Sequence, residues 1–314
     1  MTSVLPLLGL LFTASASAAD GLEWEWEGAN HRYLLGTTVT LGEPMWVRGT
    51  VNRDTRLYGF AIDLVTTCVG ESPRGGKAYN VVCTLDDLSV RLESAPTDPG
   101  ILQSLAEEYE ATYEGKPVQF VMRDDGRIRD LDIAGVDTSN RRIDQIHQPF
   151  REMIKRTFAL LEVRLPRKGT DRGAGSWSEV GTTAMGVPST MGTMGRAEVT
   201  ITLGDANGGQ QVMDIAAKGI IGPAEMIMVN GTERPRTLYD TEMAGTAVFD
   251  TNDHFLVSQS YSLAGVTTSS SMQGQGAGLA YTQRSEGRVI PADAVVNLPD
   301  SGELPHEEPA EAAQ

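Results

Sequence analysis

Positive charge is scarce in this 314-residue chain: 26 Lys and Arg stand against 42 Asp and Glu, a net charge of −16. A surface of that sign repels a phosphate backbone, which sets nucleic acid aside as a partner. Cysteine is limited to two residues and histidine to four. His31, His147, His254 and His306 are scattered, with no pair at ligand spacing, so the sequence shows neither a zinc site nor a catalytic triad. It also has no Gly-x-Ser-x-Gly elbow, no phosphate-cradling loop and no dinucleotide fingerprint. These absences point away from an enzyme and imply no metal and no cofactor. A run of about 20 apolar residues, the length of a membrane-spanning helix, is missing as well.

The apolar run near the start, Leu5 to Phe12, is too short to cross a bilayer and leads into Ala14-Ser15-Ala16-Ser17-Ala18. That small-x-small pattern marks residues 1–18 as a cleaved secretory signal, although no Lys or Arg precedes the run. The mature chain is then exported, periplasmic or extracellular. In such a compartment two cysteines tend to pair. Between Cys68 and Cys83 lies VGESPRGGKAYNVV, and a hairpin centred on Pro73–Gly76 sets the two cysteines directly opposite each other. Opposed residues at a non-hydrogen-bonded position accept a cross-strand disulfide.

What is abundant is alternation. Leu22 to Glu27, Arg32 to Thr40, Met45 to Val51, Tyr58 to Val69, Ala78 to Leu92 and Val118 to Met122 read as strands. So does Ile128 to Ile133, beyond the Asp124-Asp125-Gly126 turn. Within Ala78 to Leu92 the apolar phase switches from Val81, Cys83 and Leu85 to Leu88, Val90 and Leu92, which predicts a β-bulge at Asp86-Asp87. Pro99 to Leu105 reads as a short helical turn, and Glu108 to Glu114 as a further strand with Tyr109, Ala111 and Tyr113 on one face. After a glycine-rich loop from Arg167 to Trp177, strands resume at Ala197, Gln211, Glu225, Thr246, Phe255 and Leu279.

One stretch breaks the pattern. From Pro149 to Leu161, residues Phe150, Met153, Ile154, Thr157, Phe158 and Leu161 recur at helical spacing, with Arg151, Glu152, Lys155 and Arg156 opposite. Pro149 suits a first helical position. The predicted architecture is therefore mainly β (α+β): a large curved antiparallel sheet or half-barrel partly wrapped around one amphipathic helix. The domain spans residues 19–297, with sub-halves 19–147 and 165–297 joined by helix 148–163. A disordered acidic tail rich in Pro, Glu and Ala occupies 298–314.

Residues 123–172 hold 12 Lys and Arg against 9 Asp and Glu, a local basic surplus. It is either a solvated helix face or, through Arg151, Lys155 and Arg156, a dock for anionic lipid or an acidic protein. Met185, Met191 and Met194 fill gaps against a sheet or offer thioethers to Cu(I).

The order strand, Asp-Gly turn, strand, amphipathic helix, Leu-Pro, loop, Trp, carried by KPVQFVMRDDGRIRDL, QPFREMIKRTFALLEVRLPRKG and GSWSEVG, resembles a loosely defined group of secreted bacterial proteins of unknown function. It is also similar to the half-barrel-and-helix architecture of bacterial lipoprotein carriers and to the N-terminal sheet of large lipid-transfer proteins. GTAVFDTNDHFLVSQSYSL is similar to the strand–turn–strand unit that closes such domains. The resemblance implies binding of a hydrophobic ligand by shape and transfers no site residue.

The favoured function is the binding or carriage of an apolar ligand, a lipid or acyl chain, in a helix–sheet groove lined by Phe150, Met153, Ile154, Phe158 and Leu161. The alternative is a structural or interaction protein of the cell envelope with a dry core. A third reading is an enzyme whose site is not recognised.

Overall fold

Alternating side chains make strands, and here they make a single large sheet. The computed structural model describes residues 22–48, 59–72, 78–93, 98–136, 141–165, 175–184, 194–219, 226–229, 232–235, 242–270 and 276–301. The chain opens with β1 (Asn30–Arg48), β2 (Gly59–Glu71), β3 (Ala78–Glu93), α1 (Pro99–Tyr113), β4 (Pro117–Arg123), β5 (Ile128–Ile133) and α2 (Arg141–Phe158). A 3-10 turn at Ala159–Leu161 extends α2. The second half adds β6 (Ser176–Ala184), β7 (Met194–Asn207), β8 (Gln210–Gly219), β9 (Met226–Val229), β10 (Thr232–Pro235), β11 (Glu242–Asp250), β12 (Phe255–Ser270) and β13 (Gly276–Ile290).

Eleven strands form one open, curved antiparallel sheet in the order β5-β4-β3-β2-β1-β13-β12-β11-β8-β7-β6, while β9 and β10 pair separately. Each flank is a meander, broken only between β8 and β11, where β9 and β10 intervene in the chain. The long-range join is β1 with β13, running from Arg32 opposite Ile290 to Arg48 opposite Gly276. Cys68 stands opposite Cys83 and is bonded to it, with a Cα–Cα distance of 3.9 Å. The bulge lies where the phase change predicts it: Val65 pairs with Asp87 and Thr66 with Leu85, leaving Asp86 as the extra residue.

The helical content differs from the expectation. A second full helix, α1, replaces the short turn and the strand predicted from Glu108 to Glu114. Its buried residues Leu102, Ala106, Tyr109 and Tyr113 are spaced four, three and four apart. Tyr109 and Tyr113 satisfy period two and period four at once, and the longer pattern wins because Leu102 and Ala106 share only that one. Asp98 caps the helix by accepting from the Gly100 N–H at 2.9 Å, ahead of Pro99. The Glu110 carboxylate accepts the Val90 N–H at 2.7 Å, tying α1 to β3. Helix α2 extends upstream of Pro149 through Ile146 and Ile143, the extension the sequence offers beyond the 148–163 span, so Pro149 sits within it and interrupts its hydrogen-bond ladder.

Two further segments depart from their reading. Leu22 to Trp26 is extended and alternately buried, yet it is not a sheet strand. It is held by the Glu25 N–H on the His254 carbonyl at 3.0 Å and by stacking of Trp24 on Trp26 at 6.0 Å. Strand β6 occupies part of what reads as a loop.

The stretch from Leu298, read as the start of the tail, continues a segment that crosses the sheet. Ser89 Oγ donates to the Pro299 carbonyl at 2.5 Å and the Ser301 hydroxyl meets the Glu110 carboxylate. Residues 302–314, the proposed signal at 1–18, the hairpin tip from Pro73 to Gly76, and Met185 and Met191 lie outside the described residues.

Candidate functional site

The sheet presents two faces of different chemistry, and α2 lies on one of them. Phe150, Ile154, Phe158 and Leu161 are 0% exposed and Met153 is 4% exposed, so the five groove residues are brought together on one buried helix face. Thr157, also buried on this side, spends its hydroxyl on the Met153 carbonyl at 3.1 Å. Phe150 stacks on Tyr109 of α1 with ring centres 4.4 Å apart, and Phe120 of β4 lies 6.4 Å from Phe158.

These side chains fill the space they were predicted to line. The cavity among Phe60, Leu92, Leu105, Phe150 and Met153 measures about 10 Å³, roughly the room of one water. Both halves of the sheet contribute to the same core, from Leu35, Ile62 and Val90 to Met213, Ala247 and Phe249.

Towards β12 the covered face becomes polar. Thr37 and Ser285 hydroxyls lie 3.1 Å apart, and Gln283 Nε2 donates to Ser285 Oγ at 3.0 Å and to the Tyr261 hydroxyl at 3.1 Å. Burial pushes the Tyr261 hydroxyl pKa up, against its bond with Ser285 and the nearby Arg156 charge.

The predicted basic patch is not assembled. Arg156 is 9% exposed, turned inward towards Tyr261. Arg151 is paired with Asp144, and Lys155 lies 3.8 Å from Glu152 and 3.9 Å from Asp132. The cause is that α2 is covered on more than its apolar stripe, with Tyr109 of α1 against Phe150 and His147 and with Tyr261 of β12 near Arg156, so its buried arc is wider than that stripe. His147 falls within that arc, with Nε2 3.4 Å from Glu108 and its ring against Tyr109 at 5.2 Å. Among the described residues no group of three His, Cys, Asp or Glu could hold a metal ion, and no helix is long and apolar enough to cross a membrane.

The opposite, outer face carries the open volume. Register aligns Asp63, Gly36, Glu286, Ser260 and Thr246 in one row across β2, β1, β13, β12 and β11. The row on one side carries Thr38, Arg284 and Ser262, and the row on the other carries Leu34, Arg288 and Ser258. Two adjoining hollows of about 330 and 660 Å³ lie over these rows and share Gly36, Asp63, Ser260 and Glu286. Glycine at position 36 leaves room for the Asp63 carboxylate to lie over β1, since a Cβ there would stand 2.6 Å from it and the carboxylate would have to move. Arg91 holds that carboxylate at 2.5 Å. Burial nevertheless raises the Asp63 pKa, aided by the Glu286 charge and opposed by Arg91.

This face is absent from the residues predicted to form the site. Its signal was present: Ser258, Ser260 and Ser262 repeat a small hydroxyl on the exposed phase of one strand, opposite Glu286 and its two arginine neighbours.

No family model matches the chain, and no curated protein matches it. Among solved structures the chain is similar to one titled "Lipid-protein interactions in lipovitellin", with a TM-score of 0.46 and 12% identity. The match covers 92% of this chain and 28% of that one, so this chain spans under a third of the neighbour's length.

Proposed function

We propose that this is an exported, non-enzymatic binding protein that engages its partner on the outer face of the sheet, while the helix-bearing face serves as its packed core. The observation that supports this reading is the contrast in volume: about 10 Å³ between helix and sheet, against about 330 and 660 Å³ on the outer side. The lining there mixes hydroxyls, glycine and charge with Leu34, Val296 and Leu298, which suits a partner that offers polar groups alongside small apolar ones. Export is supported by the Cys68–Cys83 bond and by the apolar run ending in Ala14–Ala18.

Carriage of an apolar ligand is the second reading, and Pro149 is the observation in its favour. A proline inside α2 is a point at which the helix can bend away from the sheet, freeing the space that Phe150 and Met153 now fill. One experiment separates the two. A photo-crosslinking amino acid replaces Ser260 in the exported protein in its own host, and the purified wild type is extracted for lipid. Protein adducts at position 260 without co-purifying lipid are expected. Co-purifying lipid with no adduct would transfer the function to the helix–sheet space.

A further inference from the structure

We infer that the outer face binds a polypeptide through its main-chain carbonyls, and that the protein's own residues 291–301 occupy part of that site. The inference rests on the reading of the outer face as the working surface. It names the class of partner.

The segment after β13 shows how the face holds a chain. It forms no strand: residues 291–294 make a turn closed by the Ala294 N–H on the Pro291 carbonyl at 3.1 Å, and the segment is fixed at three carbonyls, Arg32 Nη1 donating to Ala292 O at 3.2 Å and to Ala294 O at 2.7 Å, and Ser89 Oγ donating to Pro299 O at 2.5 Å. Its last contact is the Ser301 hydroxyl on Glu110. Three of the four bonds read backbone oxygen, which every peptide supplies, so the recognition is of the main chain more than of sequence.

The fit is incomplete. The 330 Å³ hollow lies between Val296–Pro299 and the sheet residues Leu34, Gly36 and Ser258, and Val295 is 88% exposed. From there the surface continues without a break into the 660 Å³ hollow, through Gly36, Asp63, Ser260 and Glu286. A partner chain entering from the β11 side would meet the same small, hydroxyl-bearing floor and would compete with residues 291–301 for Arg32 and Ser89. The resident segment thereby lowers the apparent affinity by the fraction of time the site is free.

The test uses the purified mature chain and a fluorescent peptide, PADAVVNLPDS, which copies residues 291–301. Leu298→Asp loosens the resident segment without touching the sheet, and the pair Ser89→Cys and Pro299→Cys, oxidised, locks it down. Thermal melts of each variant establish that it is folded. The peptide is expected to bind the loosened protein about tenfold more tightly than wild type, as for a site nine-tenths occupied. It should fail to bind the locked one and lose the gain when Arg32→Gln is added. Equal affinity across wild type, loosened and locked proteins, no binding to the loosened one, or binding indifferent to Arg32→Gln would overturn the inference. Adducts at position 260 with no peptide binding would remove this inference and leave the outer-face function standing. Absence of both would remove the two together.

Discussion

The two faces of the sheet are drawn from the same strands, residue by residue in alternation, and yet they are built on opposite rules. On the helix-bearing face of β1, Tyr33, Leu35 and Val39 are fully buried beside Ile62 and Leu64 of β2. On the outer face the intervening residues are Leu34, Gly36 and Thr38, beside Asp63. The first set excludes water by volume, and the cavity beside Phe150 and Met153 holds only about 10 Å³. The second keeps side chains short, so that hollows of several hundred Å³ remain above it. An apolar stripe on a helix is thus a statement about packing. Small polar residues on the free phase of long strands are the better guide to where this molecule has room for a partner.

The sharpest way to break that comparison is to place one charge on each face. Ile154→Asp puts a carboxylate where no water reaches, and should cost about 4 kcal/mol or prevent folding. Ser262→Asp sits on an exposed position and should stay within about 0.5 kcal/mol of wild type. Denaturant midpoints at constant slope measure both, and similar losses would mean that the faces do not differ as described.

A smaller effect tests how tightly the covered side is closed. Gly115 and Gly126 both hold left-handed backbone, at φ 73° and 77°. A Cβ at Gly115 meets nothing within 4 Å, whereas one at Gly126 would overlap the Val163 carbonyl and the Trp24 ring. Gly115→Ala therefore costs only the left-handed conformation, about 1–2 kcal/mol. Gly126→Ala adds a backbone clash and should cost about 3 kcal/mol. Melting temperatures rank the two. Equal shifts would show that the segment carrying Trp24 and Val163 yields, and that this edge of the core is looser than its packing implies.

Much of this fold was legible in the sequence because period two is a direct consequence of strand geometry. The hairpin pairing of Cys68 with Cys83 and the bulge at Asp86 followed from turn position and phase alone. The helix face from Phe150 to Leu161 was equally plain, and all five of its named residues are buried. Helix α1 was lost because Tyr109, Ala111 and Tyr113 imitate a strand over five residues, and only Leu102 and Ala106 break the tie. The inward turn of Arg156 was not legible, since Tyr261, towards which it turns, arrives from more than 100 residues away. The outer hollows were hidden for a related reason. They depend on β1 meeting β13, a pairing that local pattern does not specify, so Asp63, Glu286 and Ser260 become neighbours only once the two meanders join.

The smallest expected effect is a difference in how the two faces respond to acid. His31 lies on the covered side, stacked on Phe255 at 4.4 Å with Trp26 5.8 Å away. Burial lowers its pKa below the ordinary 6.5, and the Asp253 charge opposes that only in part. The unfolded chain therefore takes up this proton more readily than the folded one. Stability from His31 is complete above about pH 6.5 and is lost as pH falls from there towards the folded value, after which it levels off. Asp63 on the outer face has the opposite sign. Its pKa is raised above 3.8, so on further acidification the folded protein takes up that proton first and gains stability as pH falls through the folded value. Denaturant midpoints taken between pH 8 and pH 4 should therefore dip and then partly recover. His31→Phe, which keeps an aromatic ring on Phe255, should remove the fall that begins at about pH 6.5, and Asp63→Asn should remove the recovery. If both variants retain the wild-type profile, neither group is coupled to folding, and the two faces differ in shape without differing in how they hold charge.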